Sequence, residues 1–300
     1  MNYIKSHEYE GNVNPRLESI PVASKNVNDC DYGITFIDFG DIYHVSYKAS
    51  SPNLLASFIK IGKKEIFYKD LGNCDTTVNA SSHLFYIIQG DSDFCIDNIE
   101  NFEVNCGGIF IAPFFNSIKI VNKTDEDLLI YYINDSPLLN YLGSRASNRT
   151  FIPSVYSKDY LLTNLEKLSN PNNNRKGILL SNEDTEKIGT NTITPVLWAL
   201  YNELPPRTNQ RPHKHNSVAL DLCIKSDDAE NIYTLLGEEL DENGNIINPQ
   251  KINWREKEMF ITPPGLWHSH HNTGDTYAYI LPIQDAGILL YQRILGIVLK

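Results

Sequence analysis

The feature that most constrains the fold is an order of short apolar runs that occurs once in each half of the chain. The first copy reads SSHLFYIIQG and then GGIFIAPFFNSIKIVN, and the second reads PHKHNSVALDLCI and then KEMFITPPGLWHSHHN. Short apolar runs bounded by turn residues are typical of strands in a β-sandwich or barrel. Because the order recurs, it indicates duplication of one structural unit. The sequence therefore predicts an all-β protein with minor helices and two copies of one β module.

Helical periodicity is limited to short segments between the two copies. Residues 157–170 carry apolar side chains at a spacing near 3.6, and Pro137–Ser144 could form a second helix ended by Gly143. The Asn-rich stretch Leu168–Gly177 has the composition of a linker. We therefore expect four parts: an N-terminal arm (1–29), a first β module (30–145), a helical linker (146–175) and a second β module (176–300).

Composition excludes several classes of protein. The formal net charge is -11 and no Lys/Arg stripe is present, which argues against a nucleic-acid partner. The five cysteines are scattered and form no C-x-x-C pair, which favours free thiols in a reducing compartment. No secretory signal and no apolar run of about 18 residues is apparent. The sequence thus predicts a cytoplasmic protein that does not bind a membrane.

The histidines point to a metal site. Five of the eight histidines fall in two stretches, RPHKHNSVALDLC and PPGLWHSHHN. Residues i and i+2 of a strand share a face, so His213 and His215 would project side by side. If the second stretch crosses the module, His268 would join them. Three neutral imidazoles suit Fe, Zn, Cu, Ni or Mn and leave positions open for substrate or water, but the ligands alone do not identify the metal.

The second stretch carries a longer spacing pattern. Pro263, Gly265, His268 and Asn272 form P-x-G-x-x-H-x-x-x-N. Glycine can supply a turn with positive φ, and the asparagine is suited to fixing that turn through backbone hydrogen bonds. The two motifs together make a shared metal ion the favoured interpretation.

H-x-H and P-x-G-x-x-H-x-x-x-N together resemble the two motifs of the cupin superfamily. Because both halves carry the pattern, the chain resembles a bicupin, which implies two jelly-roll β-barrels. In the first half the ligand positions of the motifs read Thr77, Asn79 and Ile118, and His83 stands alone. The resemblance therefore implies a degenerate first module without metal and a metal-binding second module.

Within the superfamily, the second half is similar to the group of gentisate and salicylate 1,2-dioxygenases. Ala219 and Leu220 occupy the places where many cupins have a glutamate ligand, which leaves a site of three histidines. The resemblance implies one divalent metal ion, Fe(II) first, with Zn, Ni and Mn also compatible, and O2 as co-substrate. It further implies that His270 and Asp285 act in catalysis and that Trp198 lies near a small ring substrate.

Two features depart from that group. The degenerate module comes first in this chain, and Asp221 stands where the group has an arginine for the substrate carboxylate. A carboxylate repels a carboxylate in a low-dielectric pocket. Either Arg207 or Arg211 takes over, or the substrate has no carboxylate and bears hydroxyl or amine groups. Trp198, Asp221 and Arg211 are therefore the substrate-binding candidates.

These departures keep two further functions open. One is a cupin that binds a sugar or another small polar ligand without redox chemistry. The other is a metal-dependent isomerase or lyase in which His270 and Asp285 form an acid–base pair. The resemblance also implies a homo-oligomer, either a dimer or a tetramer.

Overall fold

The structure is a computed structural model that describes residues 4–12, 17–70, 76–168 and 174–300. Cys74 and residues 169–173 of the expected linker lie outside this part of the chain. No helix in the described residues is long and apolar enough to cross a bilayer.

Short strands dominate the described residues. The elements of the first half are α1 Tyr9–Asn12, β1 Ser24–Asn26, a 3-10 turn Val27–Asp29, β2 Gly33–Ile37, β3 Leu55–Ile61, β4 Ile66–Asp70, β5 Ser82–Gln89, β6 Ser92–Ile96, β7 Glu100–Val104, β8 Ile109–Pro113, β9 Ser117–Asn122, β10 Leu128–Asn134 and α2 Ser136–Tyr141. The following elements are β11 Ser154–Tyr156, α3 Lys158–Glu166, β12 Lys176–Leu180, α4 Glu183–Lys187, β13 Trp198–Leu204, β14 Thr208–Asn209, β15 His213–His215, β16 Ala219–Lys225, β17 Ile232–Gly237, β18 Gln250–Asn253, β19 Glu258–Thr262, β20 Trp267–Asn272, β21 Ala278–Gln284, α5 Ala286–Tyr291 and β22 Ile297–Leu299.

Both helices expected between the β-rich copies are present. α3 begins after Ser157, whose side chain accepts a hydrogen bond from the backbone N–H of Tyr160, so the serine is the N-cap. α2 is followed by Gly143, which has φ of 62° and ends the helix in the left-handed conformation. The segment between the copies is not helical throughout, because β11 pairs with β8 of the first half.

The strands form two pairs of sheets, one pair for each half of the chain. The first half contributes a six-stranded sheet in the order β11-β8-β5-β10-β3-β2 and a four-stranded sheet in the order β4-β9-β6-β7. The second half, together with β1 from the N-terminal arm, forms a six-stranded sheet in the order β1-β19-β16-β21-β13-β12. It also forms a smaller sheet in the order β18-β17-β20-β15-β22, with β14 also paired to β20. Two antiparallel sheets per module are the architecture of a jelly-roll.

Equivalent polar residues stabilise equivalent turns in the two modules. Asn122 and Asn272 each end a strand. Each donates a side-chain hydrogen bond to a carbonyl of the following turn and another to a carbonyl at the end of a distant strand. Asp135 and Asp285 each precede the helix that follows the last barrel strand. The matched roles support the predicted duplication and confirm that Asn272 fixes its turn.

The two barrels differ in what fills them. Inside the first, buried aromatic rings such as Phe85, Phe94 and Phe110 pack at centroid distances of 4.9–6.0 Å. Inside the second, the apolar cluster is smaller and centres on Trp254 and Phe260. A third cluster joins the two six-stranded sheets face to face. The second barrel therefore has room for a polar cavity.

Candidate metal centre

The turn Pro263–Trp267 brings the two histidine segments together. Gly265 has φ of 81°, the left-handed conformation that its spacing predicted, and its N–H donates to the carbonyl of His215 over 2.7 Å. This turn leads β20 back antiparallel to β15, with His213 directly opposite His268. Because alternate residues of a strand share a face, two adjacent strands present four imidazoles to the barrel interior.

Three of these rings are close enough to share one ion. The ring centroids of His213 and His268 lie 4.0 Å apart, and those of His215 and His268 lie 4.8 Å apart. One ligand nitrogen from each of the three rings lies within 4.8 Å of the others. Metal–nitrogen bonds of about 2.1 Å place such nitrogens about 3 Å apart, so small side-chain rotations would complete a site.

The hydrogen bonds of His215 and His268 fix both rings in a tautomer that can bind a metal. The Nδ1 atoms of His215 and His268 lie 2.9 Å and 3.0 Å from the carbonyl oxygens of Ser217 and Leu266. A carbonyl only accepts, so Nδ1 carries the proton and Nε2 keeps its lone pair for a metal. Desolvation by burial lowers the pKa of both imidazoles, which keeps them neutral at pH 7.

The third ring is held differently. Nδ1 of His213 lies 3.0 Å from Nη1 of Arg175, and a guanidinium can only donate. The neutral ring must therefore carry its proton on Nε2 while this contact lasts. Burial, followed by the nearby His268 and Arg175, lowers the pKa of His213 well below its usual value. The three imidazoles fit a metal ion, provided that Arg175 releases His213 when the ion binds.

His270 completes the row of imidazoles. Its Nδ1 lies 2.8 Å from Oγ1 of Thr234, which also accepts a hydrogen bond from Nε1 of Trp254 over 2.8 Å. With the indole N–H donating to it, the hydroxyl is free to donate its own proton to Nδ1. That arrangement leaves His270 with an Nε2–H group. Burial lowers the pKa of this imidazole to about 3, so the ring is neutral.

The imidazoles line a cavity of about 160 Å³ inside the second barrel. An engineered cavity of about 150 Å³ binds benzene, so this volume suits one six-membered ring. Polar side chains that line it besides the histidines are those of Arg175, Lys176, Asn202, Gln210, Asp221 and Gln284. Of the sequence-selected substrate-binding residues, the structure brings Asp221 to the cavity.

Three other selected residues lie outside the cavity lining. Trp198 is half-buried on β13, whose Leu200 and Asn202 line the cavity instead. Arg211 is exposed, and its backbone carbonyl accepts a hydrogen bond from Nη2 of Arg175. Asp285 accepts hydrogen bonds from the N–H of Val218 and from Nδ2 of Asn53 in the first module.

The position of Asp285 has a counterpart in the other barrel. Asp135 likewise precedes the helix after the last strand and accepts from the backbone N–H of Ser82, as Asp285 accepts from Val218. The same hydrogen bond therefore occurs in a barrel whose interior is filled by aromatic rings. This supports a role for the aspartate in stabilising the turn before the helix. The link to Asn53 further ties the two modules together.

Arg175 was missed by the sequence reasoning. It lies at the end of the segment expected to be a linker and directly precedes β12. A lone arginine after an Asn-rich stretch carries no spacing signal, and only the fold reveals that it faces the histidines.

Asp221 gives a testable pH dependence. Desolvation raises the pKa of this buried carboxyl to about 7, although Thr262 donates a hydrogen bond to it. Since the pKa is raised on folding, stability falls as pH rises from about 4 to 7, by about 4 kcal/mol in total.

Asp221→Asn should remove this loss, so in metal-free protein the variant should gain stability over the wild type between pH 4 and pH 8, as measured by urea unfolding. Asp125→Asn, at a carboxylate that is 93% exposed, is the control and should gain nothing. An equal gain in both variants would contradict the assignment.

Comparison with known proteins identifies the fold. No family model and no curated protein sequence matches the chain. Among solved structures, salicylate 1,2-dioxygenase from Pseudaminobacter salicylatoxidans matches with a TM-score of 0.64 and 14% identity over 85% of this chain and 77% of that chain. Its adduct with gentisate matches with a TM-score of 0.68 and 11% identity over 96% and 87% of the two chains. The chain has the bicupin fold.

A solved structure of a protein other than the dioxygenase also matches the chain. Vicilin from Corylus avellana (hazelnut) matches this bicupin with a TM-score of 0.53 and 11% identity over 88% of this chain and 83% of that chain. The comparisons confirm the predicted fold and the resemblance to the salicylate dioxygenase structure. Because fold does not determine activity, the function of the bicupin has to be argued from its site.

Proposed function

We propose that this bicupin is a metal-dependent oxygenase that opens the ring of a small hydroxylated aromatic acid. The observation that carries the proposal is the convergence of His213, His215 and His268 in a cavity the size of one ring, beside the guanidinium of Arg175. The neighbouring salicylate 1,2-dioxygenase structures, which include an adduct with gentisate, support the same chemistry.

The three histidines would hold the metal, which we propose to be Fe(II); Zn, Ni or Mn would fit the same donors. When bound, Fe(II) would supply the redox chemistry through which O2 attacks the ring. The chain's own part is to bind and orient the substrate in the barrel and to exclude bulk water. The apolar side chains of Leu200, Ala219 and Pro282 line the cavity and suit the faces of a ring.

Arg175 is the proposed partner of the acidic group of the substrate. It is the cavity's guanidinium, and such a group binds a carboxylate through two parallel hydrogen bonds. Arg175 would thus take the role for which the sequence offered Arg207 or Arg211, as the alternative to a substrate without a carboxylate. Release of His213 by Arg175 would free the His213 ring for the metal and the guanidinium for the substrate.

Two further residues would handle protons and hydroxyl groups. The Nε2–H of His270 would donate a hydrogen bond to an oxygen in the cavity, a narrower role than acid–base catalysis. Thr262 occupies one carboxyl oxygen of Asp221, and the other oxygen would contact a substrate hydroxyl. We propose no contact with reacting atoms for Asp285 or Trp198.

We propose that the second module (176–300) holds the metal and that the first module does not. In the first module (30–145), His83 is fully buried, its Nδ1 lies 2.8 Å from the hydroxyl of Tyr132, and its ring packs 4.3 Å from that of Phe115. Buried aromatic and aliphatic side chains fill the interior of that barrel. The arm (1–29) and the linker (146–175) would complete the sheets and connect the modules.

A second candidate function is favoured by Asp221. A buried carboxyl with a pKa of about 7 suits a general base or acid at neutral pH, as a metal-dependent isomerase or lyase requires. In that case the metal would polarise a substrate hydroxyl or carbonyl, and O2 would take no part.

Elemental analysis of the purified protein and an oxygen electrode test the proposal. After loading with Fe(II) under anaerobic conditions, the protein should consume O2 with gentisate or salicylate, and the same protein loaded with Zn should not. Metal binding without O2 uptake on any hydroxylated aromatic acid would favour the isomerase or lyase. Absence of any bound metal would overturn both proposals and leave the binding of a small polar ligand.

A further inference from the structure

A second cavity lies between the two six-stranded sheets, away from the histidines. Its volume is about 370 Å³, within the roughly 300–1,000 Å³ typical of small-molecule sites. Its walls come from β5, β13, β16 and β21 and from α3, so both modules contribute to it. The apolar part of the lining consists of Ile88, Leu162, Leu222 and Ile224.

Two mostly buried tyrosines line this cavity. Tyr86 and Tyr201 are 4% and 2% exposed, and neither hydroxyl has a hydrogen-bond partner among the described residues. Each hydroxyl is therefore available to donate a hydrogen bond to a molecule in the cavity. Burial raises the pKa of both phenols well above its usual value, which keeps both as hydrogen-bond donors at physiological pH.

The charges around the cavity are mainly positive. Lys158, Lys225 and Lys257 line it, against the single carboxylate of Glu256. Nζ of Lys257 donates to Oε1 of Gln89 over 2.9 Å, and Nζ of Lys225 lies 3.6 Å from a carboxylate oxygen of Asp227. In a chain of net charge -11, three ammonium groups around one cavity favour an anionic occupant.

We propose that the inter-sheet cavity binds an organic carboxylate with an apolar body. The hydroxyls of Tyr86 and Tyr201 donate hydrogen bonds to the carboxylate oxygens, the lysines balance the charge, and the aliphatic side chains cover the apolar body. This site does not depend on the metal centre or on the function proposed for it. Because both modules form it, an occupant would also link them.

Isothermal titration calorimetry on the full chain tests this proposal with decanoate and 1-naphthoate as probes and 1-decanol as the neutral control. At least one carboxylate should bind one site per chain, and decanol should bind at least tenfold more weakly than decanoate. Tyr86→Phe and Tyr201→Phe should each weaken carboxylate binding about tenfold or more, since each removes one hydrogen bond to a charged group. These substitutions keep the ring and so preserve the packing.

Tyr131→Phe is the matched control. The Tyr131 hydroxyl is fully buried without a partner among the described residues and does not line the cavity, so its loss should leave carboxylate affinity unchanged. Binding should also persist in His268→Ala, which separates this site from the metal centre. Lys225→Gln, an exposed substitution that does not threaten folding, should weaken decanoate more than decanol. The proposal is overturned if neither carboxylate binds at 1 mM, if decanol matches decanoate, or if the Phe variants bind like the wild type.

Discussion

Replacing His268 by alanine should abolish metal retention. The ring lies between those of His213 and His215, so its removal leaves two donors that no longer surround a common point. Binding of roughly 10–16 kcal/mol at a four-ligand structural site corresponds to about 2.5–4 kcal/mol per ligand, so affinity should fall roughly 100- to 1,000-fold. Metal content after gel filtration, and a competition titration with a chromophoric chelator, measure the loss.

Two matched histidine variants make this result specific. His83→Ala removes a buried imidazole from the first barrel, and His270→Ala removes the fourth ring of the row. Both variants should keep the metal, and circular dichroism should confirm that each is folded. If His83→Ala lost the metal as completely as His268→Ala, the assignment of the metal to the second module would be wrong.

Replacing Arg175 by methionine should separate substrate binding from metal binding. The substitution removes the cavity's guanidinium and the hydrogen bond that holds the proton of His213 on Nε2. We therefore expect metal affinity to stay or to rise up to about tenfold, because a buried positive charge no longer opposes the ion. Affinity of the Zn-loaded protein for gentisate should fall about 100-fold, in line with losing a charge-assisted bidentate contact.

Arg211→Met is the control for this experiment. Its side chain is exposed and outside the cavity, while its backbone carbonyl, which accepts from Arg175, is retained. Gentisate affinity should be unchanged in this variant. Loss of metal from Arg175→Met would instead mean that Arg175 holds His213 in place for the ion, and its assignment to the substrate would fail.

The sequence predicted the features that depend on local spacing. The i, i+2 spacing of His213 and His215 and the positive φ of Gly265 follow from strand and turn geometry, and the structure has both. The repeated order of apolar runs predicted two β modules, and the sheet pairing confirms them. Such features can be read from a sequence because neighbouring residues determine them.

Features that depend on tertiary contacts could not be predicted in this way. Arg175 reaches His213 from 38 positions earlier in the chain, through a segment whose composition indicates only a linker. Asp285 has the residue type and the position of a catalytic acid, and the structure shows it accepting the same kind of backbone hydrogen bond as the equivalent Asp135. An acidic residue that fixes a turn and one that faces a substrate look alike in sequence, because only the surrounding fold distinguishes them.

The pairing of β1 with β19 has a practical consequence for dividing the protein. The arm supplies the outermost strand of the second module's large sheet, with backbone hydrogen bonds at both ends of the pair, from the N–H of Val27 to Lys257 and from the N–H of Ile261 to Ala23. A fragment cut at the linker would leave the apolar strand β19 at an open sheet edge, where it could recruit other chains and aggregate. Isolating the second barrel would therefore require grafting residues 17–30 onto it, or expressing both pieces together.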